Sequence, residues 1–253
     1  MQNFELLKDS INKIQDDSTG IPEEFKYIGT GNPESKVLII GKKAAINPNT
    51  HQHEKEIIQN YRYWKNMDNI DQTVIPSRNF THYSALYPYK GQILAKNNNQ
   101  NFGTSTTWMN YQKLCNYIFD NEEEKSITFH EFFFLTEVNS TPSEKTVNAV
   151  RDSIPFRKSK VLTSSFFQSF PIVIISGVGY FNVDNEVNEI EQIFGVKFKS
   201  KEYAEEAIKK QPFWIHRSLD DKKIVINTYQ LSIGISDCLL KRVAKEIKES
   251  NLL

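Results

Sequence analysis

Charge of one sign is what this chain lacks most plainly: 31 Lys and Arg are matched by 31 Asp and Glu in 253 residues. No global positive field exists to hold nucleic acid by its phosphates, so any such contact has to come from a local patch. Cysteine is nearly absent. Cys115 and Cys238 stand in helix-like stretches with no metal-ligand or redox spacing around them, which excludes a disulfide framework and leaves both as reduced, buried packing residues. No apolar run approaches the ~20 residues of a membrane span, and the N-terminus carries no charged leader followed by an apolar stretch. The expectation is a soluble, cytoplasmic protein without a membrane partner and with no obligatory protein partner evident. Glycine is also sparse where nucleotide fingerprints need it. Gly177 and Gly179 follow an apolar run, but no third Gly follows at dinucleotide spacing, and neither a Walker-type Gly-Lys-Ser/Thr nor a Gly-x-Ser-x-Gly elbow occurs. His51 and His53 are two apart with no third ligand beside them, so no metal site is expected.

What is present is a set of four short apolar runs, each ending in a polar or small-residue turn: Val37 to Gly41, Phe132 to Asn139, Ile172 to Gly177 and Ile224 to Asn227. Runs this apolar, separated by helix-like segments, read as strands buried on both faces of a parallel sheet with helices packed on each side. The length suits one α/β domain over residues 1–253. In such sheets ligands sit past the carboxyl ends of the strands, so the turns after the four runs are where function is expected.

Helical spacing is read over residues 4–16, 53–67, 106–119, 159–169, 185–194 and 236–247. Residues 196–210 read as an insertion, and Phe213 to His216 as an extra strand. Residues 71–101 carry Asn, Tyr, Pro, Ser and Gly without periodicity and read as a long functional loop.

The order of these pieces over residues 35–250 resembles the uracil-DNA glycosylase superfamily. The matching stretches are Gly41-Lys42-Lys43-Ala44-Ala45-Ile46-Asn47-Pro48-Asn49 after the first run, Leu135-Thr136-Glu137-Val138-Asn139 at the end of the second, and Tyr229-Gln230-Leu231-Ser232 after the fourth. The resemblance implies a three-layer α/β/α fold around a central four-stranded, mostly parallel sheet, DNA or another nucleobase-containing ligand as partner, and no metal or organic cofactor. It implies that the first turn holds the residue that orients the attacking water, that Asn139 reads the base, and that the fourth turn stabilises the leaving base. The first turn holds no carboxylate between Gly41 and Thr50, which leaves Asn47 and Asn49 as the water-positioning residues. An amide can orient a water but cannot take its proton. In the fourth turn the family histidine is replaced by Tyr229 or Gln230, neither of which carries positive charge.

The expected catalytic set is thus Asn47, Asn49 and Gln230. The expected ligand-binding set is Gly41, Lys42, Lys43, Tyr83, Asn139, Tyr229 and Ser232. Each has a plainer alternative. Asn139 and Ser232 can cap the elements that follow them, and the lysine pair can be a solvated turn. Tyr61 and Trp64 read as core, while Tyr83, Tyr87 and Tyr89 lie in the long loop as stacking candidates. The basic stretch Arg151, Arg157, Lys158 and Lys160 reads first as a solvated helix entrance, with phosphate contact as its other reading. Three functions follow: a glycosylase-like protein that excises a damaged or deaminated base, a catalytically silent relative that binds nucleic acid or a nucleotide, and an unrelated Rossmann-like enzyme acting on a small molecule.

Overall fold

The structure, a computed structural model, describes residues 2–16, 19–46, 50–70, 84–88, 92–94, 104–121, 126–143, 148–184, 186–206 and 209–253. Among these residues seven strands form one mixed sheet: β1 (Thr30–Gly31), β2 (Val37–Gly41), β3 (Phe133–Glu137), β4 (Ile172–Ser176), β5 (Lys197–Glu206), β6 (Lys209–Arg217) and β7 (Ile224–Thr228), in the order β1-β3-β2-β4-β7-β6-β5. The helices are α1 (Gln2–Asp16), α2 (His51–His53), α3 (Asn60–Asn66), α4 (Thr106–Phe119), α5 (Ser153–Phe156), α6 (Ser165–Ser169), α7 (Glu189–Phe194) and α8 (Asp237–Glu249).

The four apolar runs are β2, β3, β4 and β7, and these strands lie side by side, all parallel. Alternation sorts their side chains into two cores. Leu38, Ile40, Phe134, Val173, Ile175 and Val225 pack with α1, α3, α6 and α7, while Val37, Ile39, Phe133, Ile172, Ile174, Ile224 and Ile226 pack with α4 and α8. Burying each such side chain contributes about 1.5–3 kcal/mol. That two-sided burial is why these strands carry no polar alternation.

The expected four-stranded, mostly parallel sheet is corrected to seven strands and mixed pairing. β1 joins β3 antiparallel, and the β5–β6 hairpin extends the other edge antiparallel to β7. β1 is two residues long and leaves no periodic signal. It approaches β3 so closely that a Cβ on Gly31 would stand 2.2 Å from the Phe133 carbonyl oxygen. β5, read as an insertion, is a strand with Ala204 packed among the residues around α8, Glu202 on the same face within 4.0 Å of Arg242, and its alternation interrupted by a register shift between Phe198 and Ser200.

Helix α4 begins where expected, its Ser105 hydroxyl accepting from the Trp108 backbone N–H at 3.2 Å. The helix expected over 53–67 is interrupted by a π-helical turn at Glu54–Ile58, and that over 159–169 by one at Arg157–Val161. No helix among the described residues is long and apolar enough to cross a membrane.

Candidate functional site

The carboxyl ends of β2 and β3 open into a cleft of about 360 Å³. It is lined by Gly41, Thr136 and Glu137 from the strand ends, by Lys42, Lys43 and Ile46 from the turn after β2, by Tyr27, Trp108, Tyr111 and His130 as aromatic surface, and by Gln230 from the turn after β7.

Glu137 is the centre of this arrangement. It ends β3 as the register partner of Gly41, and its carboxyl lies against that glycine: a Cβ there would stand 2.3 Å from Oε2. Oε2 is shielded from solvent and has no hydrogen-bond partner among the described residues. Burial pushes the Glu137 carboxyl up to about 8, against the downward pull of Arg157 and Lys43. At neutral pH the group is mostly a neutral acid, with one O–H to donate and oxygen lone pairs to accept.

Two cations stand near without neutralising the carboxyl, and the reason is where their donors go. Arg157, fully buried, donates from Nε to the Glu137 backbone carbonyl at 2.7 Å, from one terminal nitrogen to the Phe25 carbonyl at 3.2 Å and to the Tyr27 carbonyl, and from the other to the Thr136 hydroxyl at 2.8 Å. Burial brings its guanidinium down to about 10. Lys43 is also buried and donates from Nζ to the Ser143 carbonyl. Burial lowers its ammonium, with Glu137 opposing. Both cations thus tie chain segments together and act on the carboxyl through space.

The aromatic residues stay neutral. Burial, with Glu137 adding to it, raises the phenols of Tyr27 and Tyr111. Burial drops the His130 imidazole to about 3. Its ring stacks on Phe129 at 4.2 Å and meets Trp108 edge-on at 5.4 Å, with Nδ1 buried and unpartnered among the described residues.

Of the expected site residues, Gly41, Lys42, Lys43 and Gln230 come together in this cleft. Lys42 places Nζ 5.8 Å from the Tyr180 ring centre, a ring that the Arg151 guanidinium also covers at 4.7 Å. Burial and then Arg151 hold the Lys42 ammonium below its usual range. Asn139 is not among the residues lining the cleft. Its side chain is fully buried, donating to the Val150 carbonyl at 2.8 Å and accepting from the Ser153 hydroxyl at 2.6 Å and the Thr141 N–H at 3.2 Å, the Asx-type turn that was its plainer alternative.

Tyr229 is exposed, its ring 6.2 Å from that of Trp214. Ser232 gives its carbonyl to the Asn110 amide at 3.1 Å, while the closing helix is capped by Ser236. Asn47, Asn49, Tyr83 and Tyr89 lie outside the described residues. Tyr87 is corrected from loop stacking candidate to core, at 2% exposure. Arg157 is corrected from solvated entrance to the most buried charge near the site, because carbonyls from distant segments converge on it. Cys115 is buried and Cys238 half-buried, and neither forms a disulfide among the described residues. Among the described residues no three metal-ligating side chains gather.

No family model and no curated protein matches the chain. The functional reading therefore stands on the chemistry of the cleft. Sequence reasoning missed Glu137, Tyr27, Tyr111 and His130. Only Glu137 gave a local signal, as a carboxylate at the end of an otherwise apolar strand. The others reach the cleft from segments far apart in the chain.

Proposed function

We propose that the cleft binds a nucleobase-bearing ligand and that the chain is a DNA glycosylase-like hydrolase of N-glycosidic bonds, with Glu137 as its acid–base group. The observation that carries this reading is the carboxyl of Glu137 lying on Gly41. The turn after β2 lacks a carboxylate of its own, and the neighbouring strand supplies one at the same strand end. A carboxyl held protonated to about pH 8 can donate to a base that departs as an anion, and in its neutral form it pairs with the mixed donor–acceptor edge of a nucleobase. Tyr27, Trp108 and Tyr111 offer ring surface for the base, and Gln230 offers an amide to it.

The test is cleavage of oligonucleotides containing uracil, hypoxanthine or a mismatch, with free-base binding measured in parallel. Glu137→Gln is expected to lower cleavage by 10²-fold or more, the usual range for a positioned acid–base group. Undiminished cleavage in Glu137→Gln would remove the assignment.

A second reading is a silent relative that binds bases without chemistry. It is favoured by the uncharged Gln230 in the leaving-group position and by the internal bonding of the Asn139 amide. Free-base binding without cleavage of any substrate decides for it.

A further inference from the structure

Outside the cleft, aromatic and lysine side chains interleave on the β5–β6 hairpin. Ala204, Phe213 and Ile215 point into the core around α8. Strand alternation and the pairing of Lys201 with Trp214 place Lys201, Tyr203 and Trp214 on the opposite face. Tyr203 is 37% and Tyr229 44% exposed. Tyr229 extends this face from the end of β7, its ring edge-on to Trp214 at 6.2 Å.

The lysines lie on the rings. Lys201 Nζ stands 5.2 Å from the Tyr203 ring centre and 5.5 Å from that of Trp214, and Lys210 Nζ stands 4.1 Å from Tyr203. Lys210 is paired with Glu205 at 2.8 Å, whereas Lys201 has no carboxylate partner among the described residues. Lysine on an edge strand guards against strand addition, but that role asks for no exposed aromatic rings beneath the ammonium. Exposed rings with an unneutralised lysine, Lys201, among them on one sheet face suit a strand with bases to stack and phosphates to neutralise. This is the local patch that the balanced net charge requires of any nucleic-acid contact.

We infer that this face, Lys201, Tyr203, Trp214 and Tyr229, binds single-stranded nucleic acid and leads it to the cleft. The two meet within one dipeptide, since Gln230, next to Tyr229, lines the cleft. The destination of the strand rests on the nucleobase reading of the cleft; binding to the hairpin does not.

The experiment is fluorescence anisotropy of labelled oligo-dT and oligo-U, each about 12 nucleotides, at low salt. The parent is expected to bind, and the arm that binds more tightly identifies the sugar. Tyr203→Ala with Tyr229→Ala is expected to weaken binding at least tenfold. Lys201→Glu is expected to weaken it and to make the salt dependence shallower. In a Trp108→Phe background, which removes the tryptophan that lines the cleft, saturating oligonucleotide is expected to quench tryptophan emission and to do so much less once Trp214→Phe is added, since Trp64 is fully buried and does not report on the surface.

Both tyrosines are exposed, so their loss leaves the fold intact, and unfolding midpoints check this. If the double variant unfolds, Lys201→Glu and the Trp214 quench decide the matter. Failure of the parent to bind either oligonucleotide, or parental affinity in the hairpin variants, overturns the inference. A free base held in the cleft without oligonucleotide binding would sink this inference and leave the cleft reading standing. Oligonucleotide binding with no free base held would do the reverse.

Discussion

The buried carboxyl makes the stability of this protein depend on pH in a direction opposite to that of a salt-bridged acid, and Glu137→Gln exposes it. The Glu137 group titrates near 4.5 when unfolded and near 8 when folded. Between those values the folded state holds more protons, so folding stability falls as pH rises, by about 1.4 kcal/mol per pH unit. Carried across the whole interval this is about 5 kcal/mol. The residue is partly exposed around its shielded Oε2, and water at its stem brings the cost to about 2–4 kcal/mol above pH 8.

Glutamine keeps the shape and carries no charge at any pH. The Arg157 bonds to the Glu137 backbone, Phe25, Tyr27 and Thr136 survive the change because none involves the carboxyl. The expected result is near-equal stability of the two proteins at pH 5 and an advantage for Glu137→Gln of about 2–4 kcal/mol at pH 9, worth about 5–15 °C in melting temperature for a chain of this size. Urea unfolding at pH 5, 7 and 9 measures it. A difference that does not change with pH, or a variant less stable at pH 9, refutes the placement of a shielded carboxyl oxygen against Gly41.

Gly41→Ala puts a methyl where the Glu137 carboxyl lies. It is expected to cost about 1 kcal/mol in the parent and close to nothing in a Glu137→Ala background, a coupling that a double-mutant cycle reads directly and that additivity would disprove. Asn139→Ala removes three bonds, the one from the Ser153 hydroxyl fully buried, and leaves that hydroxyl's proton without its acceptor. A loss of about 3 kcal/mol in chemical denaturation is expected, and a loss below about 1 kcal/mol would argue against its place as the turn's anchor. The His130 imidazole, held to about 3 by burial, binds fewer protons folded than unfolded between pH 3 and its usual 6.5, so stability is lost as pH falls through that window. His130→Phe should recover about 2–3 kcal/mol at pH 4 and leave pH 7 little changed, and acid unfolding curves that superimpose would count against it.

How much of this was legible depended on whether a signal was local. The parallel core strands were legible because two-sided burial leaves near-continuous Val, Ile and Phe, and α4 because its cap and apolar stripe are contiguous in sequence. Of the β5–β6 hairpin only Phe213 to His216, inside β6, was legible as a strand; β5 was not, since Lys and Glu dominate it and its register shifts between Phe198 and Ser200. Arg157 reads as surface in any local window. Its burial follows from carbonyls at Phe25, Tyr27 and Glu137 that sequence spacing cannot bring together.

The absent carboxylate after the first core strand and the present one at the end of the next are a single feature. Gly41 and Glu137 are parallel-sheet partners, and neighbouring side chains in one row of a sheet share a face. A side chain at 41 would fill the volume the carboxyl now occupies, as the 2.3 Å approach of a Cβ to Oε2 shows. Glycine at the turn is therefore what lets the acid lie over the strand end, and a strand holds that acid more rigidly than a loop. The same burial raises its titration, and Oε2 has no partner among the described residues, so a bound ring that donates or accepts there would satisfy it. Ligand binding should then stabilise the parent more than Glu137→Gln, and a ligand that shifts both melting curves equally does not touch this carboxyl.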